Sequence, residues 1–332
     1  MNTTTDITSL LSNVAKATSP STIPATQNLC FRNNQVEATD LQTHIVAPLP
    51  SDLNCQVNAS ALIAALKQIE NPIITQHEGY ILLKTAKGKY KMPCYPADEF
   101  PAAPSISGTP MQVSSDVFAS AMQYCSNMVG KDDLRPVMSG IYFGENEIAA
   151  TDATRLAKIS QEHPLSAIIL PVKPIRLTQD FIRSNFAIIQ SDNYIKIEAF
   201  NATIYARLIS GNYPKYQAVF PSHHAEFQAD TAELSTAIRR LLPYANSSTN
   251  QIIFDFEKQC LTAFDIDLNK EASEAFSLPS DQKQIGVNGR FLTDILRTIE
   301  TPSITIAHGE PNRAIVIKSK NTEFLLMPIT IS

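Results

Sequence analysis

The stretch Arg135-Pro136-Val137-Met138-Ser139-Gly140-Ile141-Tyr142-Phe143, Gly144-Glu145-Asn146-Glu147, Ile148-Ala149-Ala150-Thr151-Asp152-Ala153-Thr154-Arg155-Leu156 decides how the chain is read. Two runs rich in β-branched and aromatic residues flank the acidic tetrad Gly144–Glu147, which has hairpin-turn chemistry. The second run ends in a polar step, Thr151-Asp152-Ala153-Thr154, closed by an arginine and a leucine.

Outward from this hairpin, helical spacing of apolar residues predicts six helices. They cover residues 6–17 (Ile7, Leu10, Leu11, Val14), 58–69 (Leu62, Leu66, Ile69) and 114–128 (Val117, Ala121, Met122, Cys125). The others cover 173–184 (Ile175, Phe181, Ile182), 230–242 (Leu234, Ile238, Leu241) and 288–299 (Phe291, Leu292, Ile295, Ile299). Asn58 suits an N-cap and Pro72 a stop. Between the helices, short β-type runs meet at turns such as Arg32-Asn33-Asn34, Ala86-Lys87-Gly88, Ser191-Asp192-Asn193 and Glu257-Lys258-Gln259.

A helix followed by strands thus recurs, with positions 57, 113, 172, 229 and 287 heading the last five units. Coil-like joins near Pro101–Pro110 and Pro221–His224 divide the chain into three segments, 1–107, 108–222 and 223–332, each holding two units. Many short strands with a few helices packed on one side define an α+β class.

The 332 residues suffice for two or three domains, with 44% hydrophobic and 18% charged residues as in a soluble protein with a sizeable core. No apolar run approaches the roughly 20 residues that span a bilayer, so no membrane partner is expected. The start, Met1-Asn2-Thr3-Thr4-Thr5-Asp6, has neither a basic nor an apolar export region, so a cytoplasmic location is expected. The five cysteines lie far apart without a Cys-x-x-Cys pair, which predicts reduced, mostly buried thiols and no zinc site. A formal net charge of -5 argues against general nucleic-acid affinity unless the 27 lysines and arginines gather on one face.

The order and spacing of several motifs resemble the bacterial sliding clamp, the beta subunit of DNA polymerase III. They are Ser21-Thr22-Ile23-Pro24, Ala38-Thr39-Asp40-Leu41, Tyr95-Pro96-Ala97-Asp98-Glu99-Phe100-Pro101, the Thr151–Leu156 step, the run from Leu208 to Tyr216, and Leu325-Leu326-Met327-Pro328-Ile329. The resemblance covers nearly the whole chain. It implies three similar clamp-type domains, each with two helices backed by antiparallel β-sheets, and a head-to-tail homodimer closing a ring around duplex DNA. It implies a processivity factor of the replicative polymerase with no reaction and no cofactor of its own. Its location would be cytoplasmic and nucleoid-associated, and its partners double-stranded DNA, polymerase and clamp-loader subunits.

A ring needs basic residues toward the phosphates, bound loosely enough to slide. Lys16, Lys67, Lys173, Arg176, Arg183, Arg239, Arg240, Arg290 and Arg297 on the helices qualify, with Lys131 and Arg135 beside the Gly130–Asp133 loop. Taken singly, each is equally well read as an ordinary solvated charge. The family often has a basic residue where Pro20 stands, which leaves a DNA contact by that loop in doubt.

The resemblance also implies a shallow groove for partner peptides that carry a glutamine followed by leucine and phenylalanine-type anchors. Its residues would be Met138, Thr151, Arg155, Leu156, Pro214, Val219, Leu325, Met327, Pro328 and Ile329. Methionine and small apolar residues make an adaptable pocket. Arg155 would bond a peptide carbonyl. Core packing is the rival reading for Leu156 and Val219. Ala153-Thr154 stand where Gly-His is common, and Ala218 where a basic residue is common, so partner preference is expected to differ. Ring closure would use the edge around Lys89 and Tyr90 against Leu242-Pro243-Tyr244.

Signals for catalysis are thin. There is no phosphate-binding Gly-x-x-x-x-Gly-Lys loop and no Gly-x-Ser-x-Gly elbow. His223-His224 reads as a solvated linker, and Asp40 and Asp152, in similar Ala-Thr-Asp contexts, as turn residues. The alternative to a DNA-encircling clamp is a clamp-like interaction protein that keeps the peptide groove but does not load on DNA.

Overall fold

The computed structural model describes residues 4–69, 71–221, 225–281 and 283–331. His223-His224 and the end of the second join therefore lie outside the described residues.

Among the described residues, six α-helices occur where apolar spacing predicts them. They are α1 (Thr4–Ala15), α2 (Ala59–Leu66), α3 (Ser115–Ser120), α4 (Val172–Gln179), α5 (Thr231–Leu241) and α6 (Gly289–Thr298). Side-chain caps start three of them. Asn58 accepts from the Ala61 N–H, Asp230 from Glu233, and Asn288 from Arg290 and Phe291. Expected helix 114–128 is interrupted: α3 passes into a wider π-helical turn, Ala121–Cys125. Expected helix 173–184 stops at Asp180, whose N–H bonds back to Leu177.

Every described strand pairing is antiparallel, as in the hairpin Gly140–Phe143 with Glu147–Thr151, closed by the Gly144 N–H to Glu147 carbonyl bond of 2.8 Å. At Arg32-Asn33-Asn34-Gln35, φ values of 52° and 57° at the asparagines give the tight turn that suits twisted hairpins. Several strands carry no legible signal. Thr43–Pro48 and Ala202–Arg207 are internal strands, while Lys270–Ala275 is a polar edge strand with four exposed residues out of six. Lys270–Ala275 has only alanine and serine between its charged residues, so no apolar alternation marks it.

The chain divides into two compact units. The first takes the described residues up to Phe118 together with Leu170–Ile209; the second takes Ala119–Ile169 together with those from Ser210 onward. The first unit holds a nine-stranded sheet. There Thr43–Pro48, which ends the opening hairpin series, pairs with Ala202–Arg207, for example His44 with Tyr205. The second unit holds an eight-stranded sheet joined the same way, with Arg155–Ser160 pairing Thr322–Leu326. Two smaller sheets have no such join. In the first unit, Ile73–His77, Tyr80–Lys84 and Lys89–Pro93 form a three-stranded sheet. In the second, a five-stranded sheet ends on Lys270–Ala275.

Core residues are those of the predicted apolar faces, among them Leu11 and Val14 of α1, Leu234 and Ile238 of α5, and Leu292 and Ile295 of α6. All five cysteines are buried and unpaired with one another in disulfides. Burial pushes the Cys30 and Cys55 thiols up to about 12. Among the described residues, no helix is long and apolar enough to cross a membrane.

Candidate functional site

The polar step Thr151–Arg155 is a built turn. The Thr151 hydroxyl accepts the Ala153 N–H (3.0 Å) and donates to the Arg155 carbonyl (2.8 Å). Oδ1 of Asp152 accepts the N–H groups of Thr154 (2.9 Å) and Arg155 (3.0 Å). Threonine and aspartate are here because their short side chains satisfy backbone groups that the strands cannot. Ala153 adopts φ +76°, a left-handed conformation that favours glycine.

Arg155 leaves this turn pointing into a cage. Its Nε donates to Asp152 (3.0 Å), its Nη1 to Asp294 of α6 (2.8 Å), and its guanidinium carbon lies 4.3 Å from the Phe291 ring centroid. The side chain is only 11% exposed. Two donors are thus committed within the unit. Of the five N–H donors three hold no hydrogen bond among the described residues, both of those on Nη2 among them, and they are left for an outside acceptor.

Beside the turn lies an apolar floor. Leu156 and Leu325 are opposite each other in register and 2% exposed, and they form one cluster with Ala149, Tyr216 and Ala314. Tyr142, Tyr213 and Phe220 pack against it, with the Tyr142 and Tyr213 rings stacked at 4.9 Å. Burial drives the Tyr213 and Tyr216 hydroxyls far above the usual range, helped at Tyr216 by Glu147. The exposed apolar residues at this surface are Val219 (52%) and Met327 (39%). A cleft of about 250 Å³ runs alongside, lined by Lys158, Gln217, Phe220, Pro221, Val316, Lys318 and Glu323. Lys158 is held there by Glu323 at 3.1 Å.

The remaining groove residues divide. Thr151 is buried in the turn, and Pro214 precedes the short helical turn Tyr216–Val219 that presents Val219. Pro328 and Ile329 are strand residues paired with Val287 and Gly286. Met138 sits on the Pro136–Ser139 turn, its carbonyl accepting the Gly130 N–H. Sequence reasoning missed the aromatic wall of Tyr142, Tyr213, Tyr216 and Phe220, and it missed Phe291 and Asp294 around Arg155. Tyr213 and Tyr216 lie in the run from Leu208 to Tyr216, with Phe220 four residues on, a signal that was available. The partners of Arg155 come from 136 residues or more further on, and nothing local announces them.

The predicted basic residues on α4, α5 and α6 lie on faces turned from the core. Arg176, Arg239, Arg240, Arg290 and Arg297 are exposed while their helices bury Ile175, Ile238 and Ile295. Lys67 at the end of α2 and Lys131 are exposed too. Several have a partner within the chain. Lys16 pairs with Asp180 (2.9 Å), Arg135 with Asp132 (3.2 Å), Arg240 with Glu274, and Arg183 lies over the Phe200 ring (4.4 Å). Lys173 differs from all of them. Its ammonium donates to Asp40 (2.6 Å) and to the carbonyls of Ala17 (3.0 Å) and Thr18 (3.2 Å), which occupies all three protons inside the first unit. At the sheet margins, Lys89 and Tyr90 are exposed on an edge strand, and Tyr244 is 43% exposed at the end of the Leu242–Tyr244 turn.

Comparison with known proteins agrees with this geometry. Residues 112–215 match the family model of the DNA polymerase III beta subunit, central domain. The chain is 24% identical to the beta sliding clamp of Helicobacter pylori, covering 81% of this chain and 79% of that one. It is 26% identical to the beta sliding clamp of Streptomyces coelicolor over 74% of this chain and 73% of that one. Among solved structures, the DNA polymerase III beta subunit of Thermotoga maritima superposes with a TM-score of 0.89 at 17% identity, covering 99% of this chain and 98% of the other. The sliding clamp of Bartonella birtlesii bound to griselimycin gives 0.90 at 19% identity with the same coverage. The fold is therefore that of a sliding clamp. The chain is similar to the bacterial DNA polymerase III beta subunit, over residues 112–215 to its central-domain model and over 81% of its length to the Helicobacter pylori clamp.

Proposed function

We propose that this chain is a DNA sliding clamp, a processivity factor that encircles duplex DNA as a head-to-tail homodimer and holds the polymerase through its groove. It performs no reaction of its own and works in the cytoplasm on nucleoid DNA. Residues 1–107, 108–222 and 223–332 make three domains of one kind.

The observation that carries this reading is the tally of sheets. Two composite sheets are complete, each joining the last strand of one hairpin series to the last strand of another. The three-stranded and five-stranded sheets are the two halves of a third, and both end on open edges, Lys89–Pro93 and Lys270–Ala275. A second copy, turned head to tail, supplies the missing half on each side and satisfies the backbone groups of both edges. The edges also differ in charge: Lys89 and Lys91 stand on one, while Glu271 and Glu274 outnumber Lys270 on the other, Glu274 being bridged to Arg240. Tyr90 and the Leu242-Pro243-Tyr244 turn supply apolar contact.

In this ring the exposed basic residues of the helices meet phosphates from inside, in contacts without sequence information. Lys67, Lys131, Arg176, Arg183, Arg239 and Arg290 do so directly, and Lys16, Arg135, Arg240 and Arg297 share their charge with acidic neighbours. Lys173 serves within its own unit. Encirclement, not affinity, retains the ring. Outside, Val219 and Met327 over the Leu156–Leu325 floor take the apolar anchors of polymerase and clamp-loader peptides, and Nη2 of Arg155 takes a peptide carbonyl.

The test is retention on DNA after loading by a clamp loader. The protein should stay on circular DNA and be lost from linear ends. Equal retention on both, or none on either while a partner peptide still binds, would replace this reading with that of a peptide-binding protein that does not load.

A further inference from the structure

The Thr151–Arg155 turn has a twin in the first unit. The Thr39 hydroxyl accepts the Leu41 N–H (2.9 Å) and donates to the Thr43 carbonyl (2.9 Å). Oδ1 of Asp40 accepts the N–H groups of Gln42 (3.0 Å) and Thr43 (2.7 Å). Leu41 has φ +74°, matching +76° at Ala153. The joins that follow correspond as well: His44 faces Tyr205 where Leu156 faces Leu325. So do the segments that cover them, each a short helical turn (Ala97–Glu99, Tyr216–Val219) followed by Phe-Pro.

The framework is shared, but the chemistry at its centre is not. In place of a leucine floor, the first unit has a cleft of about 140 Å³ lined by Thr39, Leu41, His44, Pro101, Pro104, Tyr194 and Tyr205 among others. His44 is 4% exposed. Its Nε2 lies 2.9 Å from Glu37, which also accepts from Nε and Nη2 of Arg32 at 2.7 and 2.8 Å. Burial of Glu37 opposes ionisation, but the bonds from His44 and Arg32 outweigh it and hold the carboxyl below its usual range. An ionised carboxylate only accepts, so the proton between the two sits on Nε2. Nδ1 has no hydrogen bond among the described residues, in a side chain that lines the cleft.

We propose that this cleft is a second anchoring site, taking one tyrosine side chain from an extended peptide segment of another protein. The volume is below the roughly 300–1,000 Å³ of ordinary small-molecule sites, so it suits one side chain rather than a whole ligand. Two tyrosines and two prolines make walls for a ring, and the exposed Leu41 makes an apolar lip. A hydroxyl is the group that satisfies Nδ1 in either state, donating to neutral imidazole and accepting from the cation. That the ligand is an extended peptide rests on reading the Leu156–Met327 surface as a peptide groove.

The test titrates the full chain, labelled with ¹³C at histidine, with acetyl-Ala-Ala-Tyr-Ala-Ala-amide and with its phenylalanine counterpart. The tyrosine peptide should shift the His44 ring resonance saturably, and the phenylalanine peptide should bind about fivefold more weakly, the usual effect of one hydrogen bond. Tyr194→Ala and, on the exposed lip, Leu41→Glu should each weaken binding, and Met327→Ala should leave it unchanged. No His44 shift up to about 10 mM would overturn the proposal, since ligands weaker than millimolar have no useful affinity. Equal affinity for both peptides, or binding abolished by Met327→Ala alone, would overturn it too. The last result would assign the peptide to the second unit's groove and leave the clamp reading intact.

Discussion

Leu156 and Leu325 stand directly opposite each other across the strand join of the second unit, both 2% exposed. Their side chains are the floor of the groove, and Met327 above them is the exposed part. Truncating either layer therefore has different consequences.

Leu156→Ala should cost about 2–5 kcal/mol of stability by opening a cavity in the core. Met327→Ala should cost less than about 1 kcal/mol, because that side chain is already 39% exposed. Both should weaken a peptide bearing a glutamine, a leucine and a phenylalanine. Denaturant melts paired with fluorescence anisotropy separate the two effects. A Met327→Ala protein that binds the peptide at full strength would show that the groove lies elsewhere.

Ala153 holds a left-handed conformation at φ +76° that costs an alanine roughly 1 kcal/mol relative to glycine. Ala153→Gly should raise stability by up to about that amount, less the flexibility that glycine gains in the unfolded chain. A drop in the urea midpoint would mean that the turn is not strained in the way its backbone indicates.

Lys173 and Arg290 should behave oppositely. Lys173→Ala removes three hydrogen bonds, to Asp40 and to the Ala17 and Thr18 carbonyls just after α1, and should cost about 1–3 kcal/mol of stability. Arg290→Ala, on an exposed helix face, should leave the melt within about 0.5 kcal/mol. It should instead lower the salt dependence of DNA retention by about one unit in slope. Retention measured against salt for both variants decides whether each residue is assigned correctly.

Glu37 makes the first unit acid-sensitive. Its folded carboxyl is held below the usual value by His44 and Arg32 against the opposing effect of burial. A depressed carboxylate contributes stability that is complete above the unfolded value, about 4.3, and is lost as pH falls through the lower folded value. Stability should therefore fall between about pH 5 and pH 3 more steeply than in Glu37→Gln, whose own loss at pH 7 should be about 3–5 kcal/mol. Parallel pH profiles for the two proteins would exclude Glu37 as the cause.

Reversing the charge of an open edge should separate protomers without unfolding them. Lys89→Glu with Lys91→Glu places like charges opposite Glu271 and Glu274 in the proposed dimer. The double variant should sediment as a monomer, with a far-ultraviolet spectrum like that of the parent. A dimer that survives this change would point to a different pair of surfaces.

The chain itself determined the local elements. Asn58, Asp230 and Asn288 cap the helices that apolar spacing places after them, and paired asparagines at 33 and 34 force a tight hairpin, because these effects act within four or five residues. It also carried the Thr-Asp turns at 39–40 and 151–152, whose bonds are equally local. Tertiary structure decided what the turns hold. Arg155 meets Asp294 and Phe291, Lys173 meets Asp40, and His44 meets Tyr205 only after distant strands pair. Those pairings depend on register, and one residue of slip moves every side chain to the opposite face, so no short window of sequence contains them.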